Sequence, residues 1–267
     1  MITLNKKIHN DLHYDGFCLI PRDELDIDII ETTKKLAEQI LNLPQLSSFY
    51  SKNKIDNLSN LQEVISLIND KENNNEFTSQ IYEMLPSLPL VYGLGSHPAF
   101  IDICFKAGLN MPVVGTTPNM RIDRPKSNYF NTPWHEDYWY SFYSKNSITM
   151  WIPFCNLNKD MGLLKIIPGS HKFSNKFKSF PDGHEPFQPV DPIDEKKAID
   201  IEVPFGSILI FNQKLLHKSG VNNSDKCRIT MQLRYNDQAQ SDVISRSFSV
   251  VHSKYVLDNQ KKIFNKN

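Results

Sequence analysis

The sequence has few of the features that mark secreted, zinc-knuckle or membrane proteins. Its 267 residues include four cysteines and no CxxC pair, so neither a disulfide framework nor a zinc knuckle is expected. The densest apolar stretch, residues 208–211, is far shorter than the roughly 20 residues of a membrane span. Residues 1–16 lack the apolar run of a signal peptide. Thirty basic side chains balance thirty acidic ones, which argues against charge-driven binding of nucleic acid or anionic lipid. We therefore expect a reduced, cytoplasmic protein that binds neither nucleic acid nor membrane.

Hydrophobic residues make up 40% of the chain and aromatic residues 11%, which is enough for a sizeable core. Up to about residue 110 the apolar side chains recur mostly at helical spacing. The predicted helices run from a cap at Asp23 or Asp26 to Leu41, over 57–69, over 76–85, and from Pro98 to about Gly108. A short strand is predicted over 16–20, before Pro21.

From about residue 111 the pattern changes to short strand-like runs separated by Gly, Pro and Asn. The runs are 118–123, 133–138, 147–154, 163–167, 199–203, 207–211 and 228–235. Their regular spacing favours a β-sandwich or jelly roll over alternating βαβ units.

The two patterns predict one domain over 1–267, mainly β with α additions. Residues 1–110 would pack as helices on a jelly-roll core at 111–240, and 241–267 would form a C-terminal tail. Residues 172–198 have no clear periodicity, and we expect a lid or insertion there because loops of that length are commonly functional.

The chemistry of the sequence is concentrated in its second half. His135 and Asp137 lie two apart in a predicted strand, so their side chains would share a face and could supply two ligands to a metal. An HxD pair is a weak signal alone and needs a third ligand. His217 is the best candidate, because it lies between two predicted core strands. Two histidines and one aspartate form a facial triad, which leaves coordination positions of iron(II) open for a cosubstrate and oxygen.

Taken in order, these motifs make the chain resemble the phytanoyl-CoA dioxygenase family of iron(II)/2-oxoglutarate oxygenases. The matching elements are residues 15–20 (DGFCLI), His135 with Asp137, Trp151, 161–171 (MGLLKIIPGSH), 206–211 (GSILIF), His217, Ser219 and Arg228. The resemblance implies a double-stranded β-helix (jelly roll) flanked by N-terminal helices.

The resemblance also implies roles for individual residues. His135, Asp137 and His217 would bind Fe(II), while 2-oxoglutarate and O2 would be cosubstrates. Arg228 would grip the distal carboxylate of 2-oxoglutarate, since its planar fork can donate two charge-assisted hydrogen bonds. The remaining cosubstrate-binding candidates are Ser219, Trp151, Thr149 and Asn119. Where the family often has Gln between the two HxD ligands, this chain has Glu136, so no cosubstrate role is assigned there.

The expected reaction is hydroxylation of a C–H bond with release of succinate and CO2. Asp137 favours hydroxylation, because the halogenating relatives lack this carboxylate; desaturation, ring closure and epimerisation use the same ligands. Two other classes stay open: a metal-dependent jelly-roll isomerase, whose usual His-x-His is absent here, and a non-catalytic binding protein.

Strand alternation suggests a polar cavity wall. Arg121 and Arg234 would face the site, and a buried arginine needs a carboxylate or an anionic ligand. We therefore predict a polar, anionic small-molecule substrate; internal pairing of Arg121 with Asp123 or Glu136 is the alternative.

The aromatic residues beside the metal motif leave a second question open. Tyr138 and Trp139 could shape the substrate mouth or pack helices onto the barrel. Trp151 could be core packing, and His171 is expected to be a turn residue. The substrate's identity and the oligomeric state are not fixed by the sequence.

Overall fold

The structure is a computed structural model that describes most of the chain. The described residues are 4–44, 60–71, 76–115, 118–127, 131–138, 144–173, 177–178, 188–189 and 191–240. Three expectations therefore lie wholly or largely outside them: the C-terminal tail at 241–267, Trp139, and much of the 172–198 insertion.

The N-terminal part is helical, as predicted. Its helices are α1 (Leu4–Tyr14), α2 (Ile29–Leu41), α3 (Leu61–Lys71), α4 (Glu76–Met84), α5 (Pro89–Tyr92) and α6 (Pro98–Lys106). Helix α1 was not predicted, because its sequence is mostly polar and only Ile8 and Leu12 are buried among its described side chains.

Helix α2 begins later than the predicted caps. Asp28, rather than Asp23 or Asp26, accepts the hydrogen bond from the backbone N–H of Glu31 at 3.0 Å. The cap must directly precede the first helical residue for its carboxylate to reach the free N–H groups. Asp23 instead lies within a short 3₁₀ turn.

The second part of the chain is mainly β-sheet. Its strands, with β1 from the N-terminal part, are β1 (Phe17–Ile20), β2 (Pro112–Val114), β3 (Asn119–Asp123), β4 (Ser147–Pro153), β5 (Leu164–Ile166), β6 (Phe177–Lys178), β7 (Gln188–Pro189), β8 (Ile199–Ile201), β9 (Ile208–Asn212), β10 (His217–Lys218) and β11 (Arg228–Asp237). The strands that pair are antiparallel throughout. The larger sheet has the order β1-β9-β4-β11-β2 with β3 also paired to β11, and β10-β5-β8 form a second sheet.

The two faces of the larger sheet differ in polarity. Alternate residues such as Ile148, Met150, Ile229 and Met231 join the buried side chains of the N-terminal helices in one apolar cluster. The opposite face carries polar residues of β3, β4 and β11, together with a smaller apolar cluster around Trp151. The alternation read from the sequence is therefore correct, because successive side chains of a strand point to opposite faces.

The predicted strand at 133–138 is wrong. The described residues there make one isolated bridge, between His135 and His217, and the chain turns at Asp137 before Tyr138. Pro133 cannot donate to a ladder because it has no N–H group.

No single helix among the described residues has both the length and the apolar character to cross a membrane. The segments Ser79–Ser87 and Pro89–Lys106 reach those limits only when taken together, with a bend of 52° between them.

Candidate metal centre

His135, Asp137 and His217 converge in the interior. His135 and His217 exchange two backbone hydrogen bonds, of 3.0 and 3.1 Å. Oδ1 of Asp137 lies 3.8 Å from Nε2 of His135 and 4.0 Å from Nε2 of His217. All three residues are buried, and one ligand atom from each lies within 4.8 Å of the others. The strand alternation invoked for His135 and Asp137 is absent, and the backbone bridge with the following turn brings the three ligands together instead.

Backbone carbonyls orient both imidazole rings. Nδ1 of His135 lies 2.8 Å from the carbonyl oxygen of Pro133, and Nδ1 of His217 lies 2.9 Å from that of Leu215. Because a carbonyl oxygen only accepts, each Nδ1 carries the proton and each Nε2 is the nitrogen whose lone pair can bind a metal. Burial, reinforced by His217, lowers the pKa of His135 to about 3, and burial also lowers the pKa of His217. Both rings are therefore neutral near pH 7, as metal binding requires.

Two side chains hold the Asp137 carboxylate. Oδ2 accepts a hydrogen bond from the Thr149 hydroxyl at 2.6 Å, and Oδ1 accepts one from Nη2 of Arg234 at 2.8 Å. Burial would raise the pKa of Asp137, but the guanidinium of Arg234 and the two neighbouring imidazoles together hold that pKa well below its usual range. The carboxylate of Asp137 is therefore ionised, which is the form in which an aspartate binds a metal.

A second polar network surrounds Asp123. Its Oδ1 accepts from Nη2 of Arg121 at 2.8 Å, and its Oδ2 accepts from Nε of Arg228 at 3.0 Å. Nη1 of Arg121 also donates to the Ser219 hydroxyl at 3.1 Å. Arg228 is buried, and its Nη1 contacts the carbonyl oxygens of Met161, Gly162 and Gly220. Internal pairing of Arg121 with Asp123, the alternative left open by the sequence, is what the structure shows.

The other expected site residues lie at different places on the polar face. Asn119 donates to Oε1 of Gln232 at 3.4 Å, and Gln232 in turn accepts from Arg234 at 3.0 Å. Trp151 is buried in the smaller apolar cluster, together with Leu164 and Phe211. Tyr138 is buried, and its backbone N–H donates to the carbonyl of Gln213 at 2.9 Å.

The Pro-Gly-Ser-His segment supports the site without entering it. The Ser170 hydroxyl accepts from the backbone N–H of Leu216, next to His217, at 2.9 Å. His171 lies away from the metal ligands, with Nε2 3.2 Å from the carbonyl of His13. Gly16, at φ +86°, leaves room for this ring, because a Cβ there would lie 2.4 Å from Nδ1 of His171. The sequence motif indicated a turn, but nothing in it showed the contact with the strand of His217.

Glu195 is a supporting residue that the sequence did not indicate. Its carboxylate accepts from Nε1 of Trp134 at 3.0 Å and from Nζ of Lys218 at 2.9 Å. Trp134 and Lys218 directly adjoin His135 and His217, so the described end of the 172–198 insertion is tied to the segments that carry both histidine ligands. No periodicity or spacing would have paired these three residues.

The donor set fits a divalent transition metal. The group consists of two neutral imidazoles and one carboxylate, and no fourth His, Cys, Asp or Glu is grouped with them among the described residues. This donor set matches the facial triad of non-heme iron(II) oxygenases. Fold and site together define this class of protein. A family model described as phytanoyl-CoA dioxygenase matches residues 12–230. The chain belongs to the phytanoyl-CoA dioxygenase family, which confirms the resemblance read from its motifs.

Several solved structures have a fold similar to that of this chain. The 2-oxoglutarate-dependent epimerase SnoN of nogalamycin biosynthesis is 14% identical, covering 87% of this chain and 83% of its own, with a TM-score of 0.56. The carbocyclase SnoK of the same biosynthesis is 16% identical, covering 92% of each chain, with a TM-score of 0.55. EvdO2 from Micromonospora carbonacea var. aurantiaca, solved with 2-oxoglutarate, is 15% identical, covering 87% of this chain and 91% of its own, with a TM-score of 0.52. At these identities the likeness concerns the fold.

Proposed function

We propose that the protein is an Fe(II)/2-oxoglutarate-dependent dioxygenase that hydroxylates a C–H bond of a polar, anionic small metabolite. Succinate and CO2 would be the coproducts. The observation that carries this proposal is the convergence of His135, Asp137 and His217 in a chain of the phytanoyl-CoA dioxygenase family.

The metal would be held by Nε2 of His135, Nε2 of His217 and Oδ1 of Asp137. Bound iron(II) supplies the redox chemistry that couples decarboxylation of the 2-oxo acid to oxidation of the substrate. The chain's own residues bind and orient the reactants and exclude water. Their burial, at 6% exposure or less for the three ligands, supports a water-poor site.

For the cosubstrate we propose Arg228 and Ser219 as the partners of the distal carboxylate. Their joint connection to Arg121 and Asp123 supports this role, because it places two guanidinium groups and one hydroxyl in a single network. A bound dicarboxylate would share Arg228 with Asp123. Trp151 and Asn119 would line the pocket, and Thr149 would adjoin the metal end through Asp137.

For the substrate we propose contacts with Arg121, Arg234, Tyr138 and Trp139. The pairing of Arg121 and Arg234 with carboxylates removes the original reason for expecting an anion. An anion is still supported by one donor of Arg234. Its Nε is buried without a hydrogen-bond partner among the described residues, and a negatively charged substrate oxygen would satisfy it.

We also propose that residues 1–267 act as one oxygenase domain built on a double-stranded β-helix. The pairing of β1 with β9 supports this, because it joins the N-terminal part to the main sheet. A reducing, cytoplasmic location is proposed on the basis of four buried, free cysteines.

The test is a screen for succinate release over a library of polar metabolites, with the protein loaded anaerobically with iron. We expect 2-oxoglutarate-dependent succinate release that rises with one substrate class, and a hydroxylated product one oxygen heavier by mass spectrometry. His217→Ala should abolish it. Equal release by wild type and His217→Ala would overturn the oxygenase assignment, whereas an isomerised, desaturated or cyclised product would overturn hydroxylation alone. Unchanged substrate KM in both Arg121→Ala and Arg234→Ala would overturn the anionic substrate.

A further inference from the structure

The three metal-ligand side chains are oriented by different means. The two imidazoles are fixed by main-chain carbonyls, at Pro133 and Leu215. Among the described residues, the Asp137 carboxylate is instead hydrogen-bonded by side chains from the main sheet, those of Thr149 and Arg234. The final torsion of an aspartate has a broad energy profile, so the orientation of this carboxylate depends on what its two oxygens contact.

Thr149 and Arg234 are cross-strand neighbours. They lie directly opposite each other in the antiparallel register of β4 and β11, on the polar face of the sheet. Thr149 is fully buried, and the Arg234 side chain is 11% exposed. Gln232 accepts a hydrogen bond from the same Nη2 of Arg234 at 3.0 Å, which fixes the guanidinium from a second direction.

We propose that Thr149 and Arg234 are positioning residues for the metal: they hold the Asp137 carboxylate with Oδ1 toward both histidines before the metal arrives. This role rests on the proposed function of the site. For Thr149 this role replaces the predicted contact with the cosubstrate. For Arg234 it is additional to the proposed contact with the substrate.

The geometry supports separate contributions from the two residues. The Thr149 bond, at 2.6 Å, has the length of a charge-assisted hydrogen bond to a carboxylate, and it fixes the position of Oδ2. The Arg234 bond anchors Oδ1, the oxygen that lies within 4.0 Å of both Nε2 atoms. Partners of this kind behind a metal ligand typically change metal affinity or activity about 10–100-fold when removed.

The test is an anaerobic titration of the apoprotein with Co(II) and with Fe(II), following ligand-field absorption and the charge-transfer band that appears with 2-oxoglutarate. Thr149→Val removes the hydroxyl at nearly constant volume and without a change of charge. We expect about 10–100-fold weaker metal binding and an altered charge-transfer band, while Thr149→Ser restores most of the affinity.

The matched control is Thr33→Val. Thr33 is also a buried threonine, but its hydroxyl donates to the carbonyl of Ile30 within α2. Its variant should bind metal like the wild type, and its melting temperature measures the general cost of losing a buried hydroxyl. Equal metal affinity in Thr149→Val and Thr33→Val would overturn the proposal for Thr149.

Arg234→Gln tests the other oxygen and serves also if Thr149→Val does not fold. A positioning role predicts weaker metal binding. Tighter binding would overturn this role, because it would show that the guanidinium of Arg234 acts mainly by repelling the divalent ion. If the wild type and His217→Ala bind metal equally weakly, the proposed function fails. A wild type that binds metal tightly while both variants match it refutes the positioning role alone.

Discussion

At the scale of single residues, Asp123 is the carboxylate shared by two arginines, of which Arg228 is buried. It pairs with Arg121 and Arg228 through different oxygens, and it is 5% exposed. The sequence placed Asp123 and Arg121 on one strand face, but it could not show that Arg228 shares the same carboxylate. That pairing requires β3 and β11 to be neighbours in the register Arg228 opposite Asp123.

Substitution Asp123→Asn should therefore destabilise the protein, by about 3–5 kcal/mol, because it removes the carboxylate that pairs with the buried guanidinium of Arg228. If 2-oxoglutarate binds Arg228, the dicarboxylate should raise the melting temperature of this variant more than that of the wild type, since it replaces the missing charge. Thermal unfolding with and without 2-oxoglutarate measures both effects.

Asp200→Asn, at an exposed ion pair with Lys165, is the control, and it should change the stability very little. An equal shift in Asp123→Asn and the wild type would count against Arg228 as the cosubstrate anchor.

At the scale of secondary-structure elements, the end of β11 is fastened by Asp237. Its carboxylate accepts hydrogen bonds from the backbone N–H groups of Asn110 and Met111 at 3.1 and 2.9 Å, and from Nδ2 of Asn146 at 3.0 Å. It thereby joins the connection before β2 and the turn before β4 to the last residue of β11. Burial would raise the pKa of Asp237, but these and neighbouring hydrogen bonds, with Gln240 foremost, lower it to about 2.

This depressed pKa sets the sign of a pH dependence. Because the folded-state pKa lies below the ordinary value of 3.8, the carboxylate stabilises the fold above about pH 4, and that stability is lost as the pH falls from 4 toward 2. Asp237→Asn should lower the free energy of unfolding at pH 7 by about 2 kcal/mol and flatten its dependence on pH in this window. Urea unfolding at several pH values measures this. If the free energy of unfolding of the variant depends on pH between 4 and 2 as it does in the wild type, other groups determine the loss of stability in acid.

The elements also show where sequence patterns were sufficient. Helices α2, α3, α4 and α6 and strands β1, β3, β4, β5, β8, β9 and β11 overlap their predicted ranges. Most of them carry an apolar face with the period of their structure, and β9 is a continuous apolar run. The bounds differed where a single side chain fixes the end, as at Asp28. The prediction failed for α1 and for the segment around His135, which have little periodic apolar character of their own.

At the scale of the whole molecule, the metal centre joins distant parts of the chain. His135 and Asp137 are supplied by one loop, His217 follows some 80 residues later, and the positioning side chains come from β4 and β11. A bound ion would therefore tie these parts together only in the folded state, and ligands that bind only the folded state stabilise it.

We accordingly expect Co(II) or Mn(II) to raise the melting temperature. The stabilisation should be about 2.7 kcal/mol when the free metal is at 100 times its dissociation constant, and a chelator should reverse it. Scanning fluorimetry or calorimetry at fixed protein concentration measures the shift. His217→Ala should show none, and an equal shift in that variant would place the stabilising ion elsewhere in the protein.

The sequence by itself determined the family, the three metal ligands as candidates, and the polarity of the alternating strand faces. These depend on local spacing and on the order of motifs, which a linear chain displays directly. Only the tertiary structure decided how the arginines are neutralised, which side chains hold Asp137, and how the Pro-Gly-Ser-His segment and Glu195 support the histidine segments. These contacts join residues up to 105 positions apart, and they depend on strand register and loop packing, so no local pattern in the sequence records them.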